Sequence, residues 1–258
     1  MRTDLREGVL RPSAPPPPSA SRSSGQSLFH LVVLDGFGMS DGDGEVALPE
    51  TSRRLLVLMS LLDRPASRAQ VAGMLWPEAS ERRAHGSLRT GLWRLGAARP
   101  AVSSQGELLA LSAEVAVDLR ESMALARGVL GSRPGLAFDT TTVIERFSRD
   151  LLPGWYDDWV LLEAERWRQL RLHALEALSR QLTGERRFAD ALEAGMAAVR
   201  GEPLRESGHI AVMRAHLAEG NQCEAVSEFE RYRALLDAEL GLQPTENITG
   251  LVRTLNHQ

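Results

Sequence analysis

Arg82, Arg83, Arg89 and Arg94 fall within the segment 81–95. At about 100° per residue a helix there separates into two faces. Ala84, Leu88, Gly91, Leu92 and Leu95 share the stripe that would meet a core. Arg82, Gly86, Arg89 and Trp93 lie opposite, flanked by Arg83 and Thr90, with Ser87 and Arg94 on one shoulder. Guanidinium forks bind phosphate oxygens or pair with the major-groove edge of guanine. The chemistry on offer is therefore recognition of an anion or a base edge, and on the helix alone a solvated arginine face is the competing reading. Trp93 is assigned to packing against a following hairpin, with contact to a sugar or base as the alternative. His85 sits between core and shoulder and receives no role.

Two further positions could touch a nucleic-acid backbone. Ser67 and Arg68 open a short helix, whose N-terminus favours phosphate. Ser104, in the polar turn Ser103-Ser104-Gln105, could reach phosphate or the minor groove, and a plain turn explains it equally well.

The elements that would position these residues can be read from the chain. Leu28–Leu34 is a short apolar run closed by Asp35-Gly36 and predicts a strand. Asp41-Gly42-Asp43-Gly44 predicts a turn leading to a second strand over Val46–Leu48; it lacks the ligand spacing of a calcium loop. Thr51–Leu62 is apolar almost all round and predicts a buried helix capped by Thr51 or Ser52. Ser67 should cap a second helix over Arg68–Trp76, and Ser80 a third over Glu81 to about Ala98. Residues 102–111 predict a hairpin. The Pro77-Glu78-Ala79 link has the length of a helix-turn-helix turn. Strands, three helices and a hairpin make the order of an α+β winged helix-turn-helix, OmpR-like, over residues 27–114.

Residues 1–26 are rich in Pro, Ser and Arg and read as a disordered tail. Residues 115–258 read as all helix: Leu119–Leu130, Thr141–Asp150, Trp159–Leu182, Arg187–Arg200, Leu204–Glu219, Cys223–Glu239 and Thr245–Leu255. Ala191 and Ala225 stand 34 residues apart, the spacing of tetratricopeptide-like helix pairs.

Composition excludes several functions. All 30 basic residues are Arg, so neither a Walker A lysine nor a Schiff-base lysine exists. The single Cys223 permits no disulfide framework and no cysteine zinc site, which fits a reducing cytoplasm. No run is long and apolar enough to span a membrane. The net charge is −4, yet Arg64–Arg99 holds 7 Arg against 2 acids. A basic island in an acidic protein points to one face that meets an anion. No nucleophile elbow, metal pair or phosphate loop appears. Neither an enzyme nor a cofactor is expected.

With these residues in view the chain resembles the SARP family, the Streptomyces antibiotic regulatory proteins, over about residues 28–258. The likeness rests on Ser67-Arg68-Ala69-Gln70-Val71, Leu75-Trp76-Pro77-Glu78, Leu88-Arg89-Thr90-Gly91-Leu92-Trp93-Arg94-Leu95 and Val117-Asp118-Leu119. In the second half it rests on Leu151-Leu152-Pro153-Gly154-Trp155, Asp158-Trp159, Glu165-Arg166, Glu202-Pro203-Leu204-Arg205-Glu206 and Glu239-Leu240-Gly241-Leu242-Gln243-Pro244. The resemblance implies a winged helix followed by a tetratricopeptide-like bacterial transcriptional activator domain. It also implies activation of a biosynthetic gene cluster through promoter direct repeats and RNA polymerase. Arg82, Arg83, Arg89, Thr90 and Arg94 would face the major groove, with Ser67, Arg68 and Ser104 on the backbone. The acidic helical domain would present a surface to polymerase or to a second protomer. The sequence departs from the family pattern at Trp93, at Gly96-Ala97 and near Leu108. Gly86, Gly96 and Trp93 motivate a second reading, a helical interaction adaptor with a degenerate reader.

Overall fold

Phe29–Val32 alternates buried and exposed side chains, the period-two pattern of a half-buried strand, and forms β1. The computed structural model describes residues 28–131 and 139–253, so the tail expected over 1–26 lies outside the described residues. β1 pairs antiparallel with β2 (Gly38–Asp41), which pairs with β3 (Gly44–Glu45). The second strand thus lies earlier than Val46–Leu48. The Asp41 carboxylate accepts from the backbone of Asp43 and Gly44, which closes the turn tightly and places the strand before it.

Three helices follow: α1 (Glu50–Leu61), α2 (Arg68–Leu75) and α3 (Glu81–Trp93). Between the first two, Ala66–Ser67 forms the short strand β4. α1 buries Leu55 through Ser60, as an all-round apolar helix must. Its N-cap is Pro49, not Thr51 or Ser52; Ser52 lies inside the helix and donates to Gly91 O at 3.0 Å. Ser67 caps α2 by accepting from Gln70 N at 3.1 Å. Ser80 occupies the N-cap of α3 without a side-chain bond. α3 stops at Trp93, short of Ala98. Gly96 adopts φ +53°, a left-handed conformation that glycine takes without steric cost, and a 3-10 turn (Gly96–Ala101) sends Ala98 and Ala101 back into the core. The wing is β5 (Val102–Gln105) and β6 (Leu108–Leu111), with β4 on the other edge of β6.

The first sheet is completed from further along the chain. β7 (Val115–Val117) pairs in parallel with β1, giving the order β3-β2-β1-β7. It leads directly into α4 (Asp118–Leu130), followed by α5 (Thr140–Phe147), α6 (Asp158–Gly184), α7 (Phe188–Gly201), α8 (Glu206–Glu219), α9 (Gln222–Leu240) and α10 (Glu246–Arg253). α5 ends at Phe147, three residues before the expected Asp150; the segment after it pairs with the reader. α8 opens at Glu206 rather than Leu204.

Consecutive helices from α6 to α9 pack as neighbours. Close approach depends on small residues: a Cβ on Gly195 would stand 2.9 Å from Val212 Cγ2, and one on Gly201 2.9 Å from Leu172 Cδ2. Ala191 and Ala225 are both fully buried and both occupy the fourth position of their helices, α7 and α9. The 34-residue spacing therefore marks equivalent packing positions in successive helix pairs. The buried Glu176 carboxylate accepts from Arg205 Nε at 2.6 Å and Ser207 Oγ at 2.7 Å.

One apolar core runs from the first sheet through α1–α3 into α4–α7, and a second, smaller one joins α8, α9 and α10 around Phe229 and Ile248. Polar contacts reinforce the seam between the two halves. The Asp118 carboxylate accepts from the backbone of Val33 at 3.0 Å and Leu34 at 3.1 Å. Leu152 N donates to Val33 O, Asp35 N to Asp150 O, and Arg54 bridges to Asp157 at 2.5 Å. The reader and the helical domain share a sheet and a core, so the helical domain holds the reader in a set orientation.

Candidate nucleic-acid interface

The core stripe of α3 is Ala84, Leu88, Gly91 and Leu92, with Leu95 just beyond, all buried. That anchoring turns Arg82, Arg83, Arg89, Thr90, Trp93 and Arg94 outward, and all six are exposed. None of the four arginine side chains has a hydrogen-bond or ion-pair partner among the described residues. Thr90 Oγ1 donates to Gly86 O at 3.1 Å, so its hydroxyl is partly occupied along the helix. In the helical domain Arg146, Arg168, Arg171, Arg187, Arg205 and Arg231 each bridge to a carboxylate, while Arg127, Arg180, Arg200 and Arg214, spread over four helices, have no side-chain partner among the described residues. Unpaired guanidiniums gathered on one exposed face make a cationic surface that can exchange water for an anion.

Trp93 is 80% exposed and does not pack against the hairpin. Trp93 lies seven residues after Gly86, which places it within about 20° of Gly86 around the helix. Gly86 itself is half-buried beside Thr51 and Trp76.

The two remaining groups come together at the wing. Arg68 Nη2 donates to Ser104 Oγ at 2.8 Å, tying the start of α2 to the tip of β5. Ser67 Oγ is engaged as the cap of α2, and Arg68 N donates to Glu107 O at 2.9 Å. Two of the first amides of α2 are thus satisfied within the protein, and the Arg68 side chain is the main cationic group at that corner.

Alongside α3 lies an open groove of about 670 Å³ lined by Thr51, Trp76, Arg83, Gly86, Ser87, Arg89 and Thr90. Thr51 and Trp76 are not legible in the sequence as site residues. Thr51 reads there as a helix cap and Trp76 as a helix end. Only the packing of the α1 N-terminus and the α2 C-terminus beside α3 brings them to this groove.

Elsewhere the polar chemistry is structural. Asp118 is half-buried at the seam; burial raises its pKa most, and the backbone donors of Val33, Leu34 and Leu119 pull it back only in part. His209 and Glu228 form a buried pair at 2.7 Å, with the other His209 nitrogen 2.9 Å from Pro203 O. Among the described residues no group of His, Cys, Asp or Glu could hold a metal ion, and no helix is long and apolar enough to cross a membrane.

An N-terminal domain with a sheet, three helices and a wing, fused to paired helices, is the architecture of a SARP-type transcription regulator. The bacterial transcriptional activator domain model matches residues 114–256, and the chain belongs to that family. Among solved structures, Mycobacterium tuberculosis EmbR in complex with a low-affinity phosphopeptide is similar, with a TM-score of 0.67 at 18% identity. The alignment covers 90% of this chain and 66% of that one, a likeness of fold. No curated protein matches the chain.

Proposed function

We propose that this transcriptional activator binds duplex DNA by laying the outward face of α3 in the major groove. Arg82, Arg83, Arg89, Thr90 and Arg94 meet bases and phosphates, and Arg68 with Ser104 grips the backbone beside the wing. Ser67 supports that grip by capping α2. The observation that carries this reading is the set of exposed arginines, Arg82, Arg83 and Arg89 on α3 and Arg94 at its C-cap, whose side chains lack any partner among the described residues. The acidic helical domain stays off the DNA and offers its surface to RNA polymerase or to a second protomer. The family resemblance adds promoter direct repeats upstream of biosynthetic genes as the target, and a cytoplasmic setting follows from it.

The test is binding of the full chain to upstream duplexes across a salt series. Arg89→Ala should weaken binding and reduce the slope of log affinity against log salt by about one per phosphate that Arg89 neutralises. Unchanged affinity and slope would remove Arg89 from the interface. A second reading, a helical adaptor with a silent reader, draws on Tyr156 and Leu162, which are exposed at the start of α6. No shift of any duplex at low salt, by a folded protein, would favour it.

A further inference from the structure

We propose that Trp93 is a specificity-determining residue that reads an apolar feature of the major groove, the 5-methyl group of thymine, while Gly86 lets the helix backbone come close enough for it to do so. This rests on the DNA-binding reading above and names what the arginines cannot supply.

Trp93 is 80% exposed, and no ring stacks on it among the described residues. Its helix neighbours on the outward face are Arg89, Thr90 and Arg94, so it stands alone in a cationic field. A protein partner would meet an aromatic within a contiguous apolar patch, which this face does not provide. Duplex DNA combines the two demands: dense negative charge, and isolated apolar groups on the floor of the major groove. Arginine forks read guanine and phosphate, but only an apolar side chain gains from a thymine methyl.

Gly86 supplies the approach. It lies diametrically opposite the core stripe of α3, where a docked helix comes nearest to the base pairs, and a Cβ built on it meets nothing within 4 Å. Glycine in a helix interior costs about 1 kcal/mol relative to alanine, and no contact among the described residues requires it here. The bare backbone forms part of the groove between Arg83 and Arg89. Trp93 lies about 10 Å further along the axis at 1.5 Å per residue. That offset is roughly three base-pair steps of 3.4 Å, far enough for Trp93 to read a position of its own.

The experiment uses the full chain and a pool of random duplexes. Wild type and Trp93→Ala are each used to select binding sequences, and the wild-type sequence is then remade with each thymine replaced in turn by deoxyuridine, which lacks only the methyl. The expected result is one position at which deoxyuridine weakens wild-type binding about threefold to tenfold. Trp93→Ala should be indifferent to the methyl there, and Trp93→Phe should regain part of the discrimination. Gly86→Ala should melt at a higher temperature than wild type and bind the selected duplex more weakly. The inference is overturned, with the DNA-binding reading intact, if Trp93→Ala selects the same sequence with the same methyl sensitivity, or weakens selected and random duplexes equally. A wild-type chain that enriches no sequence and shifts no duplex would overturn both.

Discussion

The Ser52 hydroxyl donates to the backbone carbonyl of Gly91 at 3.0 Å, and both residues are fully buried. This bond fixes α3 to α1, and Gly91 is what allows the helices to come so close: a Cβ there would stand 3.2 Å from Thr51 Cγ2. Ser52→Ala should cost about 1 kcal/mol of stability. Gly91→Val adds bulk against Thr51 and should cost about 1–3 kcal/mol. Urea unfolding measures both. A Gly91→Val chain as stable as wild type would show that α3 is free to slide on α1.

His209 and Glu228 should show the acid-side dependence of a buried pair. Burial is the largest influence on Glu228 and pushes its pKa up, but the hydrogen bonds and charges of His209 and Arg231 together outweigh it and hold the group below its usual range. A lowered carboxylate pKa contributes stability that is complete above the unfolded value near 4.5 and is lost as pH falls through the folded value. Glu228→Gln should therefore be less stable than wild type at neutral pH, with the gap closing in acid. His209→Ala removes one of the two side-chain partners of the buried Glu228 carboxylate and leaves Arg231, and a loss of about 1–3 kcal/mol is expected. Equal stability of His209→Ala and wild type at pH 7 would contradict this account.

Asp118 should behave with the opposite sign. Its folded pKa is raised, chiefly by burial, so its contribution is complete below the unfolded value near 3.8 and declines as pH rises through the folded value. Asparagine does not titrate and places an amide N–H against a backbone donor that the second carboxylate oxygen now satisfies. Asp118→Asn should be destabilised by about 1 kcal/mol for the mismatched donor, and the gap should be widest in acid, where the wild-type group makes its full contribution. A gap that widens towards neutral pH would mean that the Val33 and Leu34 amides, not burial, dominate.

Local signals are legible in the sequence and remote ones are not. The Ser67 cap and the core stripe of α3 depend on residues within one or two turns, so spacing and residue type are enough. The position of β7 depends on Val115–Val117 pairing with a strand 85 or so residues earlier, and no short pattern announces a parallel partner at that distance. Trp93 escapes for a related reason. Its place on the outward face is readable, but large aromatics are mostly covered, and only the packing of the described residues leaves this one 80% exposed. Asp157 reads as a helix N-terminal charge and is one, yet its bridge to Arg54 across the seam needs both domains in place.

The corner where α2 meets the wing separates an electrostatic contact from a structural one. Arg68 is held by Ser104 at 2.8 Å on the surface, and a surface hydrogen bond of this kind contributes little to stability. Arg68→Ala should thus leave unfolding within about 0.5 kcal/mol of wild type while lowering the salt slope of DNA binding by about one. Ser104→Ala releases the guanidinium without removing its charge, so the slope should hold and affinity should fall less than with Arg68→Ala. Arg200, exposed on α7 and without an ion-pair partner among the described residues, carries the same charge away from α3; Arg200→Ala should change neither quantity. A salt slope that fell equally for Arg68→Ala and Arg200→Ala would mean that DNA responds to total charge and not to the reader face, because only a local contact can tell the two arginines apart.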